Sequence, residues 1–438
     1  METKLPIFGR FIVLSISVFF IGSMFFQNAN ATSQWSRRTG MSCNACHTVF
    51  PRLNSNGEDF LRNGYMTPST QGANDEYAPN AGDTWVDNVT NLLGFRLNMT
   101  PLMIETNSLV KDSGEAKQSK LTLGSPLWIQ FFVAGPVYKD ISFFSELEHA
   151  SGSFKFNWFY FNIMNVAGSD KLNFQVGNIS PVEFASYPDR LPQLSNIKGE
   201  VFHIKSSNGA GENSTKIRDA HGGIQYFGKH DWALWYAGVS PGKSPTSLSQ
   251  YLETWGGLVA KLPEGMVDGF DGSTVTLHYQ TGTNTNYTGD ESTPQKPQVK
   301  DTWTRFVPSL NIRYNGQYDI QAAYMIAKDD NWNLVSNPTS DFKYSGVVVE
   351  AGYMPDEMWH LGLHYDQYSS SDNITGGVND GKPVFEYQRI VPSVTYVVNQ
   401  NIRFSAYFEK DLTPERKDAA GKAIDLVDRA YLNMRVMF

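Results

Sequence analysis

Beyond residue 31 the chain has no apolar run as long as a membrane helix, yet apolar and polar residues alternate with a period of two in one stretch after another. In a bilayer every backbone polar group needs an internal partner, and only a closed barrel reconciles that demand with alternation. The final stretch shows the pattern. Leu432, Met434, Val436 and Phe438 fall on one face, with Tyr431, Asn433, Arg435 and Met437 on the other. Alone, such an ending also suits a half-buried strand that finishes a soluble sandwich. The rest of the chain favours the barrel, because sixteen such stretches run from 92–106 to 427–438 and aromatic residues make up 13% of the composition. The even number matches bacterial barrels.

The connections give an independent check. Short ones, such as Gly168-Ser169-Asp170, Asn315-Gly316 and Val398-Asn399-Gln400, alternate with long ones rich in Gly, Ser, Asn and Asp, including 181–218, 282–302 and 369–385. The connection near 151–154 breaks the alternation. Short turns belong on the periplasmic side and long loops outside, which puts both chain ends in the periplasm. Sorted by face, Phe306, Leu310, Ile312 and Tyr314 point to lipid, while Arg305, Ser309, Asn311 and Arg313 point to the lumen. The same sorting sends Glu146, Glu148, His278, Glu350, Arg389, Arg403 and Glu409 inward. A wall of compensating charges accounts for most of these residues. The stripe His360, His364, Asp366 is singled out as a possible iron path, since alternate residues of one strand project donors toward the outer mouth. Arg305 to Leu310 recurs in pattern as Arg389 to Val394, and a bulge is expected at each internal proline, Pro308 and Pro392.

Residues 1–31 have the layout of a secretion signal, with Lys4 and Arg10 flanking the apolar run 11–26 and Ala29-Asn30-Ala31 as the cleavage site. Cleavage there moves the net charge from −8 to about −9. This balance offers no basic face to nucleic acid. Three segments are therefore expected: the signal (1–31), a small plug (32–90) and an outer-membrane barrel (91–438).

The plug carries both cysteines of the chain, in Cys43-Asn44-Ala45-Cys46-His47. A C-x-x-C-H site attaches haem through two thioethers and offers the adjoining imidazole as proximal iron ligand. A bare thiol pair or half a zinc site are the alternatives, but no second C-x-x-C supplies the remaining zinc ligands, and the βαβ context of a thioredoxin-like pair is absent. One covalent haem c is thus expected on Cys43 and Cys46 with His47 on its iron. The sixth ligand stays open between Met66, the nearest downstream sulfur, and a lumen histidine such as His278. No G-x-S-x-G elbow or phosphate loop competes, and His221-Gly222-Gly223 lacks the rest of a hydrolase pattern.

The run Thr39-Gly40-Met41-Ser42-Cys43-Asn44-Ala45-Cys46-His47-Thr48-Val49-Phe50-Pro51-Arg52-Leu53-Asn54, followed by Gly57 and Phe60, resembles the monohaem cytochrome–porin fusions of iron-oxidising bacteria. The match covers about thirty residues, and the remainder is similar in architecture only. The resemblance implies a haem plug in or near the lumen of an outer-membrane barrel. It also implies an oxidoreductase that takes electrons from extracellular Fe(II) and passes them to a periplasmic c-type cytochrome or copper protein. An outward conduit to extracellular acceptors and a passive porin with a structural or sensory haem are the other readings the residues allow.

Overall fold

Sixteen strands close into one antiparallel barrel in the computed structural model. The structure describes residues 34–66 and 92–437, apart from 107–108, 111–117, 125–126, 139, 151, 186–190, 195–196, 205–215, 242–249, 288–297, 332–341, 371–385, 414–415, 418–422 and 426–427. The expected signal (1–31), the plug's second part (67–90) and Phe438 lie outside the described residues.

The strands are β1 (Leu93–Thr106), β2 (in two segments, Ser119–Leu123 and Leu127–Tyr138), β3 (Ile141–Ala150), β4 (Ser153–Ile163), β5 (Asn173–Ile179), β6 (His221–His230), β7 (Ala233–Ser240) and β8 (Gln250–Lys261). Then follow β9 (Thr274–Tyr287), β10 (Gln298–Tyr314), β11 (Tyr318–Asp329), β12 (Phe342–Tyr353), β13 (Trp359–Ser370), β14 (Glu386–Asn399), β15 (Ile402–Asp411) and β16 (Arg429–Met437). Each pairs with its sequence neighbour, and β16 closes the ring on β1 from Arg96 opposite Met437 to Glu105 opposite Arg429. Full closure leaves no unpaired edge, which lets strands cross lipid at all.

The expected faces hold. Phe306, Ile312 and Tyr314 are exposed on the outer surface, while Arg305, Ser309, Asn311 and Arg313 are buried inside. Two details differ from expectation. Strand pairing begins beyond the expected limits at the outer side, where β9 and β10 form a tall hairpin from Tyr287 and Gln298. The prolines at 308 and 392 carry no bulge, for register is continuous across both. Each points outward and drops partners only with one neighbouring strand, which costs a ladder bond without inserting a residue. Register shifts occur instead near Pro101 and Pro136.

Parity places both described ends of the chain at the mouth that carries the short turns. The connection at 151–152 is a tight turn on the opposite side, as the sequence anomaly implied. The 180–220 connection does not stay at the rim. Its Leu194, Ile197, Val201 and Phe202 are at most 2% exposed, and inward wall charges hold its backbone. Gln193 N donates to Glu350 at 3.2 Å, Arg403 Nη2 to Gln193 O at 3.0 Å, and Glu200 N to Asp366 at 2.8 Å. Arg389 also donates to Lys198 O.

Candidate haem site in the plugged lumen

The plug's described part, residues 34–66, has two helices, α1 (Gln34–Thr39) and α2 (Ser55–Arg62), with a 3-10 turn at Cys43–Ala45 between them. Asn54 caps α2 by accepting from Gly57 N at 2.9 Å, satisfying one of the first-turn donors that a helix leaves unpaired. Asn54 and Asn56 also tie α2 to the cysteine turn: Asn54 Nδ2 donates to Asn44 O at 3.1 Å and Asn56 Nδ2 to Ala45 O at 2.9 Å. Gly57 sits where a Cβ would lie 2.0 Å from Cys46 O, so only glycine lets the helix approach the turn this closely.

Charge locks α2 into the wall. Glu58 takes Arg62 at 3.1 Å and Arg313 at 2.7 Å, Lys261 reaches Asp59 at 2.5 Å, and Arg313 also donates to Leu53 O. Arg52, 1% exposed, reaches Asp319 at 3.4 Å and pairs with Glu350. Burial lowers its pKa to about 10, against the pull of Asp319. An aromatic column anchors the other flank, with Trp35 stacked on Tyr65 at 5.6 Å, Tyr65 on Phe144 at 5.2 Å and Phe144 on Tyr160 at 5.4 Å. The Tyr65 and Tyr160 hydroxyls share a hydrogen bond of 2.7 Å.

Beside this plug lies a cavity of about 540 Å³. Cys43, Cys46 and His47 line it on one side, Phe60, Trp128, Phe132 and Phe144 form apolar walls, and Lys155, Lys198, Lys216 and Arg218 line its part formed by β4 and the infolded connection. Both cysteines are free thiols. His47 Nδ1 faces two carbonyl oxygens, Pro51 at 3.2 Å and Arg52 at 3.3 Å. A carbonyl accepts only, so Nδ1 carries the proton and Nε2 is left with its lone pair, the arrangement a metal-ligating histidine needs. Burial lowers the His47 pKa from its ordinary 6.5 to about 4, which keeps the ring neutral above that pH. The Cys46 thiol is raised, also by burial. The donor set, the free thiols and the apolar walls fit a covalently held haem, and the cations fit its two carboxylates.

The other expected ligands lie elsewhere. Met66 is 1% exposed and packs in the apolar cluster behind the cavity wall, with Phe132, Phe144 and Met164, rather than lining the cavity. His278 is also outside it, its Nδ1 2.8 Å from the Tyr236 hydroxyl. In the stripe on β13, His364 meets Glu350 at 3.0 Å and Asp366 at 3.5 Å, but Asp366 is held by Arg389 and Glu350 by Arg52. His360 makes no such pair, and among the described residues no group of three His, Cys, Asp or Glu side chains could hold a metal ion. The sequence reading missed Arg52 as the buried anchor, and the infolded segment with its cavity residues Lys198 and His203. The unusual length of the 181–218 connection was the available signal.

No family model and no curated protein matches the chain. Solved structures do. Salmonella typhi OmpF, in a complex with daunomycin, is 14% identical with a TM-score of 0.54 over 79% of this chain and 97% of its own. The outer membrane channel DcaP of Acinetobacter baumannii is 11% identical (TM-score 0.52, 79% and 96%), and the anion-selective porin from Comamonas acidovorans 12% identical (0.51, 79% and 99%). At these identities the likeness is one of fold, and it shows the chain to have a porin-like β-barrel fold.

Proposed function

We propose that this barrel is an outer-membrane monohaem cytochrome–porin that oxidises extracellular Fe(II) and passes each electron to a periplasmic c-type cytochrome or copper protein. The observation that carries the reading is His47: its Nδ1 is fixed by the Pro51 and Arg52 carbonyls, and it lines, with two free thiols, a cavity inside the barrel. When bound, the haem supplies a one-electron couple. Cys43 and Cys46 would hold it, His47 would ligate its iron, and Lys155, Lys198, Lys216 and Arg218, which line the same cavity, would meet its carboxylates. The aromatic walls keep water from the macrocycle, which raises the potential in the direction an acceptor for Fe(II) requires.

Position matters as much as chemistry. A hydrocarbon core about 30 Å thick insulates, and a redox group serves both faces only when it sits within the lumen. The ion pairs of Arg52, Glu58 and Asp59 with Asp319, Glu350, Arg313 and Lys261 hold the plug inside the lumen toward the short-turn mouth, which supports this reading. In this orientation each Fe(II) that reaches the outer side loses one electron and leaves as Fe(III).

Visible spectroscopy tests the reading. Purified, oxidised protein mixed with Fe(II) is expected to develop reduced haem bands promptly, with dithionite as the positive control. Reduction by dithionite alone would overturn iron oxidation and favour the outward conduit, whereas a steady ion current across planar bilayers would favour the passive porin.

A further inference from the structure

The mouth that carries the short turns has a continuous ledge on one side. Lys261 N donates to Trp232 O at 2.8 Å, Asn315 N to Gly269 O at 2.7 Å, and Met354 N to Gln317 O at 2.8 Å. Four successive turns, 231–232, 262–273, 315–317 and 354–358, are thus laced edge to edge. Exposed along them are Asp231, Glu264, Asp268, Asp271, Asp356 and Glu357. Of the neighbouring cations, Lys261 is paired with Asp59, while Lys229, hydrogen-bonded to the neutral Asn63, sets one positive charge against these six acids. At the centre of the acidic arc, Met266 is 65% and Val267 46% exposed. The ledge also adjoins the plug: Gly272 packs against Ser55 at the start of α2, and Asn54 and Asn56 link that helix start to the Cys43–Ala45 turn. A recess of about 720 Å³ opens between α2 and the 262–273 turn.

We propose that this ledge is the docking surface for a small, basic, soluble electron-carrier protein, seated on Met266 and Val267 and steered by the surrounding carboxylates. The inference rests on the conduit reading and names the chemistry of its soluble partner. An apolar centre ringed by like charges suits a transient complex, because the charges accelerate and orient the encounter while the small contact lets the partner leave. The partner's basic charge follows from the ledge. An acidic carrier would meet six carboxylates at short range.

The test measures binding by calorimetry on the full-length protein in detergent, with Fe(II) absent. The probes are a mitochondrial cytochrome c, whose surface is rich in lysine, and the same cytochrome with its lysines succinylated. The native probe is expected to bind, with affinity about tenfold or more weaker at 0.2 M salt than at 0.02 M, as screening shortens the reach of the charges. The succinylated probe is expected not to bind. The combined variant Glu264→Lys, Asp268→Lys and Glu357→Lys, whose side chains make no structural hydrogen bonds in the turns, should lose binding, and Met266→Ser should weaken it. Asp330→Lys at the opposite mouth should leave it unchanged, and heat-modifiable gel migration checks that each variant is folded. Equal binding by the two probes, or full binding by the triple variant, would overturn the proposal. Because no electron moves in this assay, its outcome is read apart from the Fe(II) spectrum.

Discussion

The Nδ1 of His47 lies 3.3 Å from the carbonyl oxygen of Arg52, and the guanidinium of the same arginine lies 3.4 Å from Asp319 on the barrel wall. The residue whose carbonyl orients the imidazole is therefore the residue whose guanidinium fastens the plug. Arg52→Met leaves Asp319 with Arg313 at 3.8 Å and Glu350 with His364 and Gln193 N but without the arginine that spans them, a loss of up to about 3–5 kcal/mol for a broken buried pair. The expected outcome is faster hydrogen exchange at the α2 amides and a broadened His47 environment in the holoprotein's spectrum. Adding Asp319→Asn and Glu350→Gln removes these carboxylate charges and should restore much of the protection. Unchanged exchange in Arg52→Met would show that the aromatic column alone holds the plug.

Covalent attachment has a sharp readout. Intact mass after denaturing extraction should show one haem on the wild-type chain, and Cys43→Ala with Cys46→Ala should remove it. Either single variant is expected to retain haem through one thioether and to shift the reduced absorption band, since a vinyl group then stays conjugated. A wild-type mass equal to that of the bare polypeptide would sink the haem reading itself.

The barrel was legible because lipid and lumen impose a strict period of two, so residues as ordinary as Phe306 and Ile312 against Arg305 and Asn311 reveal their faces without any tertiary information. The C-x-x-C-H motif stood out in the sequence because the haem attachment expected of it demands fixed local spacing. Arg52 was not, since its partners are 267 and 298 residues away and sequence distance carries no register between plug and wall. The infolded Gln193 and Lys198 were hidden for a related reason. A loop's destination depends on which wall charges it can satisfy, here Arg403 and Arg389, and no local pattern encodes that match. Met66 shows the converse failure, for proximity in sequence to Cys46 suggested a ligand and packing sends its sulfur behind the wall.

That placement makes a prediction about the sixth position. Met66→Leu conserves volume in an apolar cluster and should cost under about 1.5 kcal/mol while leaving the visible spectrum unaltered. His278→Gln should leave the spectrum unaltered too, since its ring is engaged by Tyr236 outside the cavity. A change in either variant's low-spin bands, with folding intact, would return that residue to the iron.

Gly57 gives the most stringent test of the plug geometry. It sits in the first turn of α2 with an ordinary helical backbone, so its need for glycine is one of space and not of conformation. A methyl group there would fall 2.0 Å from Cys46 O, and that oxygen already accepts from Asn54 N at 3.0 Å. The obstacle is backbone on both sides, which cannot swing aside as a side chain would. Gly57→Ala must push α2 away from the cysteine turn or draw Cys46 off the cavity, with an overpacking cost of about 1–3 kcal/mol despite alanine's better helix propensity. Because the barrel does not depend on this contact, the variant should keep its heat-modifiable migration while its haem content per chain falls. A Gly57→Ala protein with full haem loading and an unshifted spectrum would show that α2 and the cysteine turn are not packed as described.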